Sequence, residues 1–217
     1  KEERSHSVSL SADLYHTFGS VQANLLVEGF YTKLEDVFAL RDIEDTTDGG
    51  KVKERYNGSG ATVRGLNVEG RAAFTRWFEL QAGMTWQRSR YSGPEQWSED
   101  AEVPDLYGYF TASSKPLRRF TADVTGTCTG EMLVQHMAGS GVDRDVAVTT
   151  PTFCDVNLRL AYDLRIYKEI TLQLFGGVQN IFNAYQKDFD KGAERDSGYV
   201  YGPSMPRSWF VGAKISF

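Results

Sequence analysis

The end of the chain constrains it most. From Ser208 to Phe217, the residues Trp209, Val211, Ala213, Ile215 and Phe217 fall on one parity, while Ser208, Lys214 and Ser216 fall on the other. A period of two marks a strand with one greasy face. The alternation runs to the final aromatic with no polar residue after it in this sequence, so nothing downstream covers the apolar side. A wall whose outer surface meets lipid suits such a strand.

The same scheme recurs from the start. Val8, Leu10, Ala12 and Leu14 oppose Ser7, Ser9, Ser11 and Asp13; after a turn at Phe18-Gly19, Val21, Ala23, Leu25, Val27 and Tyr31 oppose Gln22, Asn24 and Glu28. The stretch 31–40 reads as the upper end of that strand, although Leu34, Val37 and Phe38 also fit a short helix. A polar connection over 42–60 leads to Leu66, Val68, Ala72 and Phe74 against Asn67, Glu69 and Arg71. A tight turn at 75–77 reverses the chain, and Phe78, Leu80, Ala82, Met84 and Trp86 then face away from Glu79, Gln81, Thr85 and Gln87. A long loop over 91–103 precedes a weaker strand at 105–112 and a reversal containing Pro116. The longest alternation, 120–136, carries Asp123 on its polar side. Cys154, Val156, Leu158, Leu160 and Tyr162 oppose Asp155, Asn157 and Arg159; Ile170, Leu172, Leu174 and Val178 oppose Thr171, Gln173 and Gln179. A charged loop, 183–206, returns to the last strand.

This pattern predicts an all-β protein, an antiparallel up-and-down transmembrane β-barrel with about nine strands in this chain. Glu69, Arg71, Asp123 and Arg159 sit in mid-strand, where a dry core does not accept them unpaired, so that parity faces water. The strands have about the ten residues a tilted strand needs to cross a bilayer. Connections alternate short and long, as barrels sort brief periplasmic turns from extended external loops. Hydrophobic residues make up 41% of the 217, and no apolar run is long enough for a membrane helix. Barrels escape that test because only alternate residues meet lipid. The expected inner wall is Gln22, Asn24, Glu28, Glu69, Arg71, Gln81, Asp123, Asp155, Arg159 and Gln173. The alternative is a soluble β-sandwich ligand-binding module, in which the greasy faces pack on one another.

Three pieces then carry a family resemblance: Gly177-Val-Gln-Asn-Ile-Phe-Asn183, Tyr199-Val-Tyr-Gly-Pro-Ser-Met-Pro-Arg207, and the aromatic-terminated strand, in that order. Together they resemble the C-terminal end of a TonB-dependent outer-membrane receptor. The resemblance implies a plugged barrel of about 22 strands that imports a scarce nutrient such as an iron-siderophore, haem, cobalamin or glycan. It implies partners as well: the TonB energy-transducing system acting through a plug, outer-membrane lipid, the transported nutrient and a surface lipoprotein. The barrel-assembly machinery would read Trp209, Val211, Ala213, Ile215 and Phe217, a reading preferred to that of Phe217 as a plain apolar strand end. Asn180 and Arg207 take a structural role. Nine is odd, and the first strand precedes a short turn, so residues 1–217 are expected to be the C-terminal portion of the barrel, with the plug and earlier strands outside them.

Other classes find less support. The net charge of −5 and the lack of a basic block speak against nucleic acid. No nucleophile elbow, phosphate loop or metalloprotease signature is present, so neither enzymatic activity nor a cofactor is expected. The acidic loop 42–49 offers Asp42, Glu44 and Asp48 at a spacing loosely like a calcium loop but lacks the distal bidentate Glu, and a solvated loop is preferred. Cys128 and Cys154 share a parity on neighbouring strands. A register summing to 282 would set them opposite one another and pair Phe120 with Tyr162, giving a disulfide; two free, lipid-facing thiols are the preferred reading. Among the three histidines only His136, near an outer loop, is placed to meet a haem or metal chelate. Trp77, Phe78, Tyr162 and Phe217 near the short turns, and Trp86 and Tyr91 near the long loops, are expected to form aromatic belts.

Overall fold

Nine strands form one antiparallel meander in the computed structural model, which describes residues 1–44, 51–58, 60–92 and 103–217. In spatial order they are β1 (Arg4–Phe18), β2 (Val21–Glu35), β5 (Gly60–Thr75), β6 (Phe78–Ser92), β7 (Leu106–Leu117), β8 (Phe120–Thr129), β11 (Phe153–Tyr167), β12 (Ile170–Gln179) and β13 (Ser208–Ser216). The numbers skipped belong to two hairpins in the long connections, β3 (Phe38–Glu44) with β4 (Lys51–Asn57) and β9 (Leu133–His136) with β10 (Val146–Thr149). At one end of the sheet every reversal is two residues: Gly19-Ser20, Arg76-Trp77, Arg118-Arg119 and Lys168-Glu169. Arg119 and Lys168 take positive φ there, 76° and 43°, as tight hairpins require.

The register joins the apolar parities of all nine strands into one face. One row runs Ala12, Val27, Val68, Met84, Gly108, Cys128, Cys154; another runs Leu158, Val178, Trp209. This face is bare: Leu10 is 81% exposed, Leu174 46%, Ile215 62% and Val211 91%. Among the described residues no second sheet packs on either side, since strands touch only their ladder neighbours. A sandwich needs that second layer, so the soluble alternative is not the fold. Trp77 and Trp86, both half-exposed, are nine positions apart. At ~3.3 Å per residue and a tilt of ~40° that is about 23 Å of height, close to the apolar band of a membrane barrel. Phe18, Tyr162 and Tyr167 join Trp77 toward the short turns, and Tyr31 and Trp209 join Trp86 at the other end; of the Tyr91 side chain nothing is described.

Four sequence expectations are corrected. The alternation over 120–136 breaks at Gly130, whose amide donates to Leu106 O (2.7 Å), so β8 ends at Thr129 and β9 belongs to a separate hairpin. The stretch 31–40 is neither one strand nor a helix: Asp36 turns the chain at φ 53° and β3 begins at Phe38. The connection 42–60 holds strand β4. Pro116 lies inside β7, at a register shift between Ser114 and Leu117, and the reversal itself is Arg118-Arg119. A bulge gives Pro a ladder position where no amide is needed.

Candidate functional site

Two regions hold the polar chemistry. The first is the wall's second face, on which the register gathers all ten residues expected there. Their side chains bond across strands. Asn67 donates to Glu28 (3.0 Å) and accepts from Thr85 (2.9 Å). Gln81 donates to Glu69 (2.9 Å) and to Tyr109 (3.3 Å). Arg71 pairs with Glu79 at 2.6 Å, and Asn24 donates to Asp13. Arg159 lies between Asp123 (3.4 Å) and Gln173 (2.8 Å), with its guanidinium 5.0 Å from the centre of the Phe175 ring, and Gln173 passes on to Asp163 (2.8 Å). Gln22 stands exposed opposite Thr17 and Ala73. Asp155 Oδ1 is buried without a donor among the described residues. Such an acceptor is costly until something donates to it.

The second region caps the long-connection end, and the two motif stretches explain it. A Cβ at Gly177 would meet Leu158 O at 2.0 Å and the Phe210 ring at 2.7 Å, so only glycine lets Phe210 lie across the strand. Asn180 and Asn183 both take the left-handed conformation (φ 51° and 55°), which Asn tolerates better than most residues. The Asn180 side chain accepts from Ala184 N (2.9 Å) and donates to Ala184 O and Met205 O; Asn183 Oδ1 accepts from Arg207 N (2.9 Å). Two asparagines thus pin both ends of the β12–β13 connection. Within it, Gln186 is 1% exposed: its Nε2 donates to Tyr199 O (3.1 Å), and its Oε1 accepts from Tyr201 N (2.9 Å) and Gly202 N (3.4 Å).

Asp188 receives both phenols, Tyr199 at 3.0 Å and Tyr201 at 2.7 Å. Burial alone would raise this carboxyl, yet the two hydroxyls hold it below its ordinary value. Burial, and then the carboxylate, push Tyr199 up to about 12 and raise Tyr201 further. His136 stacks on Tyr199 at 3.8 Å between centroids and shares a 2.9 Å hydrogen bond with Asp190, which holds that carboxyl low. Asp196 accepts from Met137 N (2.8 Å) and Ser140 N donates to Glu194 O (2.9 Å), so the connections after β9 and after β12 are locked together.

His136 is 6% exposed and engaged on both its face and its Nε2, so it locks loops and does not stand open to a chelate. Asp188, Asp190 and Gln186 went unnoticed in the sequence, where they read as ordinary loop residues. Cys128 and Cys154 are joined, with Cα atoms 4.1 Å apart at the register summing to 282, and the preferred reading of two free thiols is wrong. Directly opposed strand positions this close bring two sulfurs within bonding reach. Asp48 lies outside the described residues, and of Asp42 and Glu44 only the backbone is described, within β3. Among the described residues no group of three or more His, Cys, Asp or Glu is placed to hold a metal.

A single sheet with one bare apolar face, one hydrogen-bonded polar face and its loops sorted by length is the wall of an up-and-down transmembrane barrel, here not closed on itself. The chain belongs to the TonB-dependent receptor family: the model described as "TonB dependent receptor-like, beta-barrel" matches residues 1–181. Solved structures similar to it include the pyoverdine outer membrane receptor FpvA from Pseudomonas aeruginosa PAO1 bound to pyoverdine (TM-score 0.67, 14% identity, 99% of this chain and 30% of that one). The ferric-catecholate import receptor Fiu from K12 E. coli matches at TM-score 0.65 and 18% identity, over 98% and 27%. The siderophore receptor PirA from Acinetobacter baumannii matches at 0.62 and 14%, over 98% and 32%. The chain therefore spans about a third of the length of these receptors. No curated protein sequence matches it.

Proposed function

We propose that residues 1–217 are the C-terminal barrel portion of an outer-membrane receptor that imports a nutrient under TonB control. The observation that carries this reading is the division of the sheet into a face for hydrocarbon and a face for water. In it, Gln22, Asn24, Glu28, Glu69, Arg71, Gln81, Asp123, Asp155, Arg159 and Gln173 line the passage and select by short-range hydrogen bonds and charge. Asp155 Oδ1 awaits a donor from the plug or the cargo. The locked cap above them is a preorganised outer surface, and the terminal strand from Trp209 to Phe217 addresses the chain to the assembly machinery. The names of the three similar receptors favour a ferric siderophore over haem, cobalamin or glycan as cargo. The protein's role is passage, with no bond made or broken.

Cells producing the intact receptor test this. It should fractionate with the outer membrane, migrate faster unheated than boiled on denaturing gels, and take up a labelled ferric siderophore only when TonB is present. A protein recovered folded in plain buffer, or uptake indifferent to TonB, would sink the reading.

A further inference from the structure

Among the described residues, three ion pairs lie within the nine-stranded sheet. Lys33 meets Glu35 at 2.7 Å, Arg71 meets Glu79 at 2.6 Å and Arg159 meets Asp123 at 3.4 Å. A cluster of cations without such partners gathers at the short-turn end between β5 and β8. There Lys115 N donates to Trp77 O (2.7 Å) and draws the Arg76-Trp77 turn against the end of β7, while Asp163 N donates to Arg119 O (2.8 Å). The two turns enclose a cleft of about 730 Å³ lined by Arg76, Lys115, Arg118 and Arg119. None of these four has an ion pair among the described residues. One carboxylate, Asp163, lines the cleft; it accepts from Gln173 at Oδ1 (2.8 Å), and its single charge leaves the four cations in excess. Four cations against one carboxylate leave the cleft with a net positive charge that a further anion would offset.

The cleft has an apolar continuation. Trp77 (50% exposed) and Leu117 (70%) flank it, and Phe120 lines both the cleft and a furrow of about 660 Å³ on the outward face, floored by Gly176 and Ala213 between Tyr162, Leu174 and Val211. A cationic site that opens through one shared ring into a greasy channel matches an amphiphile with a single anionic head. Guanidinium groups suit phosphate oxygens, and cation clusters at the edge of an apolar surface bind anionic lipid.

We infer that this end of the wall holds one anionic glycerophospholipid, its phosphate among Arg76, Lys115, Arg118 and Arg119 and an acyl chain along the furrow past Phe120. The inference rests on the reading that the apolar face meets a bilayer. It places the lipid in the leaflet at the two-residue turns, where it would tie the β5–β6 and β7–β8 hairpins to β11–β13.

The intact receptor, purified in neutral detergent, is examined by native mass spectrometry with phosphatidylglycerol and phosphatidylethanolamine of matched chains. The wild type should retain phosphatidylglycerol about fivefold better, one molecule per receptor, and R76Q/K115Q/R118Q/R119Q should lose that preference. Should the quadruple variant fold poorly, Arg76→Gln with Arg118→Gln should show about half the loss, since both side chains are exposed and unpaired. Ala213→Phe, which fills the furrow, should lower retention of both lipids. Insertion into liposomes is scored in parallel. A receptor that inserts but shows no anionic preference, or whose phosphatidylglycerol is displaced by inorganic phosphate alone, overturns the lipid site and leaves the barrel standing; one that does not insert removes both.

Discussion

The wall and the cap solve the same backbone problem in opposite ways. In the nine-stranded sheet the ladder satisfies amides and carbonyls, so side chains are free to specialise for whatever lies on each face. In the β12–β13 connection there is no ladder, and side-chain amides take its place. The most fully buried side chains among the described residues are therefore polar ones, Gln186 and Thr150, while Val211 and Phe217 are 91% and 99% exposed. This inverts the usual soluble arrangement. The wall draws on its lateral pairing and its solvents, the cap on a small wet core of oriented polar groups, and a substitution that harms one should spare the other.

The hardest way to break that contrast is to charge the lipid face. Leu174→Arg, at the middle of β12, should destabilise the intact barrel in liposomes by about 2–4 kcal/mol in urea titration, while Gln173→Arg, one residue away on the wet face, should cost far less. Equal losses would mean that the two faces meet the same medium. The next test addresses the cap. Gln186→Leu keeps the volume but strands Tyr199 O, Tyr201 N and Gly202 N, so the connection should open more easily by about 1–3 kcal/mol, read as faster hydrogen exchange at Tyr201 and Gly202. Barrel unfolding should not move. If it does, the cap and the wall are one cooperative unit.

The same contrast explains what the sequence disclosed. The wall is legible because a strand between two different solvents writes its two faces into strict alternation, and parity alone puts Arg159, Asp123 and Gln173 on one face. Parity puts Cys128 and Cys154 on one face, and only a register summing to 282 opposes them; the ladder has that register and the bond is made, which neither parity nor spacing decides. The cap was opaque. Gln186, Asp188 and Asp190 carry no periodic signal, since each is set by partners outside any ladder: Tyr199, Tyr201 and Gly202 for Gln186, Tyr199 and Tyr201 for Asp188, and His136 and Asp196 for Asp190. Gly130 and Asp36 likewise end strands through single backbone events that alternation cannot register. The Gly177–Asn183 stretch was the exception, visible only as a resemblance, and its two left-handed asparagines give the physical reason the sequence there is so particular.

The smallest effect is a pH window confined to the cap. Asp188 and Asp190 are held below the ordinary carboxylate value, so their contribution is present above about pH 4 and is lost as pH falls through their lowered values. Tyr199 is held up at about 12, so its contribution is complete below the ordinary phenol value of about 10 and drains away between the two. Hydrogen exchange at Tyr201 and Gly202, corrected for the intrinsic dependence on pH, should therefore be flat across the neutral range and rise at both extremes. Tyr199→Phe should abolish the alkaline limb contributed by that phenol and leave the acid limb in place, because Asp188 keeps its bond from Tyr201 and Asp190 keeps His136. An acid limb that vanished along with the alkaline one would mean that the Tyr199 hydroxyl, the one group this variant removes, and not the bonds from Tyr201 and His136, holds the carboxylates in their charged form.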